Sequence, residues 1–591
     1  MAQSRPRYSG SKRHLILAFD LGTTFSGISY VMQDPGREMR IEAVKRFPGQ
    51  DKGAATIPSV VYYGEGGVVL AVGAEEPGED AYSGNHDYPM MLHWFKMLLR
   101  PESITVAHDD VPQPKLPPGK DVVDVYADYY KYMFECAKRF IGQKDQASKM
   151  FLDSLDEDAI TFVLAHPNGW GGAQQTAMRQ ALVKAELIPD SDDAYERVAF
   201  VSEGEASLHF CLGSGNVSDE IEVSALLSDG STLMIIDAGG GTVDLSTYTF
   251  ASVSPVEVKE AFLPDCVFEG SVMVRRRAER HIRAKLANSR FGKPEFIEAI
   301  ANEFDRAPKK CFKGTGDCVV PFSHMMKDTD AKVGIRAGKL KLTEAELLSF
   351  FNPGIDAIIR AIEEQRCALA PRVAKTFFLV GGFASNDYLF NKIKDHLAGE
   401  NLVLLRPDCD SKKAVADGAV SFYIDHFVTA RTAKVTYGTR CAVQFFPFLP
   451  SHRMRVNQAL PCLTGGLVLP GAYSGILTKG SQIAEASEYR KTFVAEGMRP
   501  GDGLQITMKI IVHRGSGDPP EFIDEDESSF STLFEVTADI KDAPIEIAFG
   551  PMGPFCMRKV DLVFSFGLTE LKVQLAWKDE NVSSLLPCSS C

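Results

Sequence analysis

The chain has 591 residues, room for several compact units of roughly 100 to 200 residues each, so a single small module is excluded. Its 45% hydrophobic and 24% charged residues lie in the range of soluble globular proteins and exclude disordered, collagenous and disulfide-stapled miniature folds. Lys+Arg 64 against Asp+Glu 78 leaves a formal net charge of −14, an acidic field that argues against nucleic acid as a partner.

Residues 1–13, polar and basic, read as a disordered N-terminal tail. The tail lacks the apolar stretch of a secretory leader, and the twelve cysteines show no framework spacing, so a reducing, cytoplasmic location is expected. No apolar run approaches the roughly 18 to 20 residues needed to span a bilayer, so no membrane partner is expected. From His14 a short strand, LILAFD, runs into a glycine turn and a second alternating run, LGTTFSGISYVM. ITFVLAHP, VAFVSE, STLMIIDAGGGTVDLSTYTF and TFFLVGGF are further buried strands, each broken by Gly, Pro or Asp. Helical periodicity lies between them. The clearest helix is expected to start at Pro353 with Asn352 as N-cap and Ile355, Ile358, Ile359 and Ile362 as its apolar stripe. Strands alternating with such helices predict an α/β region over residues 14–430, with lobes of about 14–230 and 231–430. Residues 431–580 are β-rich with short, evenly spaced runs, which predicts an all-β sandwich-like module, and 581–591 form a C-terminal tail. The stretch PPEFIDEDESS within the module reads as an exposed loop, and the terminal CSSC is at most half of a zinc site.

Two segments say nearly the same thing: FDLGTTFSG at Phe19–Gly27 and IDAGGGTVDLS at Ile236–Ser246. Each places an aspartate at a strand end, then glycines that let backbone N–H groups approach a phosphate, then a threonine hydroxyl. Asp20 and Asp237 are the candidate metal residues, suited to the water shell of a Mg²⁺ that needs few protein ligands. One D-x-G-x-T is an ordinary turn; two copies opening the halves of one α/β region point to a nucleotide clamped from both sides. A third glycine junction, FFLVGGFASN at Phe377–Asn386, ends a strand and opens a helix with Asn386 or Asp387 as N-cap, a place for a purine or ribose.

These segments, with IPSVVYYG, HWFKMLLR, HPNGWGGAQQTAMRQA, VSEGEAS and AVADGAV in the same order, resemble the ATPase domain of the 70-kilodalton heat-shock chaperones, a member of the actin and sugar-kinase superfold. The resemblance implies an actin-like ATPase domain of two duplicated lobes around a nucleotide cleft, with ATP or ADP and Mg²⁺ as cofactors. It implies phosphate or nucleotide contacts at Gly22, Thr23, Thr24, Phe25, Gly239, Gly240, Gly241 and Thr242, and nucleoside contacts at Gly381, Gly382 and Phe383. NEFDRAPKKCF resembles the adenine-binding helix and nominates Asp305, Lys309 and Lys310, although Pro308 should kink that helix. Lys96, Glu203, Asp237 and Thr242 are the implied catalytic residues: Lys96 a point charge near the γ-phosphate, Glu203 with Asp237 orienting the attacking water.

Departures from the family's pattern fall at Gly204 and Glu205, where it has Pro and Thr, and at Gln175, where it has an arginine that passes signals between domains. Coupling between nucleotide and β module is therefore expected to be modest. DHFVTARTAKV stands in place of the short leucine-rich linker, and the residues after Trp577 are too few for a helical lid, so the resemblance is to a divergent, lidless branch. The expected function is an ATP-binding and ATP-hydrolysing chaperone-like switch, with unfolded or extended polypeptide segments and nucleotide-exchange or other co-chaperones as partners. Two alternatives stand beside it: a nucleotide-gated scaffold without hydrolysis, and a small-molecule kinase of the same superfold.

Overall fold

The structure, a computed structural model, describes residues 5–50, 53–82, 89–101, 113–213, 227–370, 374–398, 402–407, 411–484, 487–501, 505–515, 517–567, 570–578 and 583–587. It divides into two compact units, residues 1–428 and 429–591. The terminal CSSC lies outside the described residues.

The first unit is mixed α/β and rests on two sheets with one repeated plan. In the first sheet β1 (His14–Asp20) and β2 (Phe25–Gln33) form an antiparallel hairpin, and β3 (Ile160–His166) and β4 (Val198–Ser202) follow in parallel on the other side of β1. In the second, β5 (Thr232–Ala238) and β6 (Val243–Val253) form the hairpin, and β7 (Thr376–Val380) and β8 (Val403–Leu405) follow in parallel beside β5. Leu15 to Phe19 and Leu233 to Ile236 are all buried. Strands covered on both faces have no solvent side on which to alternate, which is why these stretches are continuously apolar. Each hairpin turn therefore emerges at the carboxyl end of its central strand, directly after Asp20 and Asp237.

Helices cover these sheets. The longer ones are α1 (Val122–Gly142), α2 (Gly172–Lys184), α3 (Glu203–Gly213), α4 (Ser271–Leu286), α5 (Pro294–Arg306), α6 (Glu344–Ala368), α7 (Asp387–Leu397) and α8 (Ala414–Asp425). A Cβ on Gly418 would stand 1.8 Å from Ala206 O, so α8 lies on α3 backbone against backbone, a crossing that only glycine permits.

Two expectations are corrected. Helix α6 begins at Glu344, not at Pro353, with a capping box between Thr343 and Glu346. Leu347, Phe350 and Phe351 are buried and extend the apolar stripe backwards, and their packing offsets the hydrogen bond that Pro353 removes inside the helix. Asn352 caps nothing; its Oδ1 accepts from Tyr388 Oη at 2.7 Å. Nor is the described part of the N-terminal tail free. Arg5 pairs with Asp425 at 2.8 Å, and Tyr8 N–H donates to Arg37 O at 2.8 Å. Asp425 ends α8, where the helix dipole disfavours a carboxylate, so a guanidinium there relieves a local electrostatic cost.

The second unit contains two antiparallel sheets. One carries Thr436–Gln444, Leu467–Leu477, Gln505–His513 and Phe530–Asp539; the other carries Glu488–Gly497, Glu546–Gly550, Gly553–Gly567, Glu570–Lys578 and Ser583–Pro587, the last a strand paired to its neighbour where a tail over 581–591 was expected. Ile510, Val536, Leu562, Phe564, Leu575 and Trp577 from both sheets form one core. Inward side chains at every second position are what a sandwich requires. The acidic stretch read as an exposed loop is partly anchored: Phe522 is buried beneath Arg455, whose guanidinium also pairs with Asp524 at 2.6 Å. Among the described residues of the chain, no helix is long and apolar enough to cross a membrane.

Candidate functional site

A cleft of about 440 Å³ opens in the first unit at the carboxyl ends of β1 and β5. Asp20, Gly22, Thr23, Thr24 and Phe25 enter from the first hairpin, and Asp237, Gly239, Gly240, Gly241 and Thr242 from the second. Lys96 and Glu203 stand on its floor, and Gly381, Gly382 and Phe383 come from the turn after β7. Asp305, Lys309 and Lys310 come from the end of α5 and the turn that follows. Every candidate residue nominated from the sequence lines this one cleft.

The glycines are explained by close approach. A Cβ on Gly240 would meet Thr24 Oγ1 at 2.5 Å, and one on Gly241 would meet Thr23 Oγ1 at 2.4 Å, so the two hairpin tips face one another with no space for a side chain between them. The second tip is pinned: Gly239 N–H donates to Thr242 O at 2.9 Å, and Ser271 and Val272, opening α4, donate to Gly239 O and Gly240 O at 3.1 and 2.9 Å. Gly381 has φ +93°, and a Cβ there would lie 2.4 Å from Asp237 Oδ1. Downstream, Asn386 caps α7 by accepting from Leu389 N–H at 2.9 Å, and its amide reaches Lys309 O at 3.0 Å.

Pro308 breaks the helix. Helix α5 stops at Arg306, Ala307 leaves helical geometry at φ −134°, and Pro308–Cys311 make a separate turn. The break swings Lys309 inward to an ion pair with Asp305 and a 3.2 Å hydrogen bond to Ser271 O. Burial lowers the Lys309 pKa, which Asp305 partly opposes.

The floor is short of positive charge. Asp20, Glu203, Asp237 and Asp244 face the single ammonium of Lys96, which pairs with Glu203. Burial, then Glu203, push Asp20 and Asp237 each up to about 7 and Asp244 up to about 8. Ser207 Oγ donates to Asp237 Oδ2 at 2.6 Å and offsets part of that rise. Burial also works against the charge on Lys96, but Glu203 and Asp20 outweigh it and its pKa is raised. Asp237 and Asp244 sit directly opposite one another in the β5–β6 register, an arrangement that like charges oppose unless a cation is near. Glycine tips that admit phosphate, and carboxylates that outnumber the one ammonium around Lys96, fit a nucleotide with a hydrated divalent cation. Among the described residues no three His, Cys, Asp or Glu side chains are grouped to bind a metal directly; Mg²⁺ held largely through its own waters asks for no such group.

Sequence reasoning missed Thr56, Ser271, Asn302, Arg306, Lys412 and Val415 as lining residues, and gave Asp244 no role. Asp244 lay inside a motif already singled out, and its spacing from Asp237 in a tight hairpin was a signal that the two pair across it.

The raised carboxylates have a pH consequence. A carboxyl whose pKa is raised by folding favours the native state at low pH, and that contribution declines as pH climbs from about 4 through about 7. For Asp237 the loss is up to roughly 4 kcal/mol. The ligand-free melting temperature of Asp237→Asn should therefore fall less than that of the parent between about pH 5.5 and pH 8. Parallel melting profiles for the two proteins would remove Asp237 as a strained charge.

No family model matches the chain. It is similar to heat shock 70 kDa protein 12A of Homo sapiens, 23% identical over 505 residues, which cover 72% of this chain and 71% of that protein. To heat shock 70 kDa protein 12A of Mus musculus it is 22% identical over 500 residues, again 72% and 71% of the two chains. The chain is thus a distant relative of the 70-kilodalton heat-shock proteins.

Proposed function

We propose that this chain is a Mg²⁺-dependent ATPase of actin-like architecture that works as a chaperone-like switch. The observation that carries this reading is the convergence of two facing glycine hairpins, Lys96, Glu203 and the Gly381–Phe383 turn on one cleft. The hairpin N–H groups, with Thr23, Thr24 and Thr242, cradle the phosphates. Gly381, Gly382 and Phe383 receive the nucleoside, with Asp305 and Lys309 at its edge. Asp20 and Asp237 would hold Mg²⁺ through its water shell, and the ion would supply positive charge to offset that of the phosphate oxygens. Lys96 stabilises charge that spreads over the terminal phosphate in the transition state. Glu203, released from Lys96 as that ammonium turns to phosphate, accepts a hydrogen bond from the attacking water and aims it.

The second unit is proposed to bind extended polypeptide. Its surface carries Phe446, Phe448, Leu460, Leu467, Ile547, Phe549 and Met552 exposed, and apolar groups left in water suit apolar peptide side chains. Gln175, the residue in place of the signalling arginine, is buried and hydrogen-bonded to His166 Nε2 at 3.1 Å. That supports modest coupling, below about 1 kcal/mol.

Mg-ATP at a hundredfold excess over its Kd should stabilise the fold by about 3 kcal/mol, read as a rise in melting temperature. A melting curve indifferent to millimolar Mg-ATP would end the nucleotide reading. Phosphate release, measured with and without sugars or polyols, distinguishes hydrolysis from kinase chemistry and from binding alone.

A further inference from the structure

Residues 271–342, from the start of α4 to the strand that precedes α6, carry seventeen Lys and Arg against eight Asp and Glu, in a chain whose net charge is −14. Positive charge gathered in one stretch of an acidic chain creates a local field opposite to that of the whole. The stretch folds as α4, α5 and a small antiparallel sheet of Cys318–Pro321, Ile335–Arg336 and Lys339–Leu342. Val320, Ile335, Leu340 and Leu342 are buried in the core with Phe291, while the alternate residues Val319, Arg336, Lys339 and Lys341 face water.

The loop that leaves the first of these strands holds Met325 and Met326, 56% and 82% exposed. Its backbone is firmly tied. Phe322 and Ser323 N–H donate to Gly338 O at 2.9 and 3.1 Å, Gly338 N–H donates to Asp328 O at 2.7 Å, and Arg290 donates to Lys327 O at 3.0 Å and to Asp328 Oδ1 at 3.2 Å. A Cβ on Gly338 would stand 2.1 Å from Ser323 O, so the loop lies directly on the turn between the last two strands. The Phe322 ring packs on Phe291 and Phe296, 5.4 and 6.1 Å between centroids. A stiff platform thus holds two adjacent methionines out in water. Lys327 follows Met326 directly, and Arg336 and Lys339 flank the Gly338 turn beneath the loop. These three cations are exposed and form no ion pair among the described residues, and Asp328, the acid nearest the methionines in sequence, is paired with Arg290 at 3.2 Å.

A protruding apolar tip inside a cationic rim is the reverse of a groove and has nothing with which to wrap a peptide. It matches a surface that is anionic outside and apolar just beneath. RNA would offer phosphates but no apolar layer for the methionines.

We propose that the Met325–Met326 tip docks the first unit on an anionic lipid surface, with the two thioether side chains in the interfacial layer and Lys327, Arg336 and Lys339 on the headgroups. The sequence predicts no span across a bilayer, and this contact needs none: a small apolar insertion and a basic patch together bind reversibly. The tip shares no residue with the nucleotide cleft, so the inference goes beyond the ATPase reading and does not depend on it.

The test is flotation of the full chain with vesicles of phosphatidylcholine alone and of phosphatidylcholine mixed with phosphatidylserine. The chain should float with the mixture, stay behind with phosphatidylcholine, and be released by salt. Each cation near such a surface is worth about fivefold in affinity, so Lys327→Gln/Arg336→Gln/Lys339→Gln should bind on the order of a hundredfold more weakly. Met325→Ser/Met326→Ser should bind about tenfold more weakly. Both variants change exposed side chains, so melting temperature and Mg-ADP affinity should match those of the parent. If either variant melts lower, Met326→Trp decides: its emission, less that of the three native tryptophans, should shift to the blue with the mixture and not with phosphatidylcholine. Equal binding to both vesicles, binding to neither, or a serine variant that binds as the parent does overturns the proposal. Tighter binding of a polyglutamate peptide that needs the same two methionines overturns it in favour of an acidic protein partner.

Discussion

Lys96→Ala and Glu203→Gln should each lower kcat by roughly tenfold to a thousandfold while Mg-ATP affinity changes much less, because both groups act where charge and nucleophile meet in the transition state. The structure adds a second expectation. Lys96 and Glu203 are both buried and paired with each other. Removing one partner of such a pair strands the other charge, at about 3 to 5 kcal/mol. Lys96→Ala should therefore melt well below the parent, and the double variant Lys96→Ala/Glu203→Gln, which also removes the carboxylate that Lys96 pairs with, should melt higher than Lys96→Ala. Turnover should not return with stability. Steady-state phosphate release and melting curves on the three variants separate the two effects. If the double variant regains both stability and rate, the pair is structural and the roles given to it are wrong.

The second large effect is expected at the hairpin tips. Gly240→Ala places a methyl 2.5 Å from Thr24 Oγ1, on a tip whose backbone is already tied to the start of α4. Pinned on that side, the second tip cannot retreat freely, so Thr24 and the first hairpin must yield. Displacing phosphate donors by about 1 Å costs on the order of a hundredfold. We expect Mg-ATP affinity to fall by about that factor, with stability reduced by only about 1 to 3 kcal/mol, the usual cost of overpacking. Titration calorimetry with Mg-ADP and Mg-ATP reads it directly. Affinity within threefold of the parent would show that the phosphates lie elsewhere in the cleft.

The sequence by itself determined the parts of this protein that depend on neighbours in the chain. Continuous apolar runs such as LILAF and LMII announced central strands, because a strand covered on both faces has no polar side. Glycines after Asp20 and Asp237 announced tight turns, because close backbone approach needs a missing Cβ. Repetition of the motif announced two comparable sheets, and the change of period after about residue 430 announced the β-rich unit.

Only the tertiary structure decided which charges share a floor. Lys96 and Glu203 are far apart in the chain and touch; Asp244 sits opposite Asp237. It also moved the start of α6 back to Glu344, docked Arg5 on Asp425 and turned Lys309 inward past Pro308. Periodicity and turn chemistry are short-range and leave marks within a few residues. The ionisation, pairing and orientation of a buried group depend on everything within several ångströms of it, and those neighbours come together only when the sheets and helices have packed.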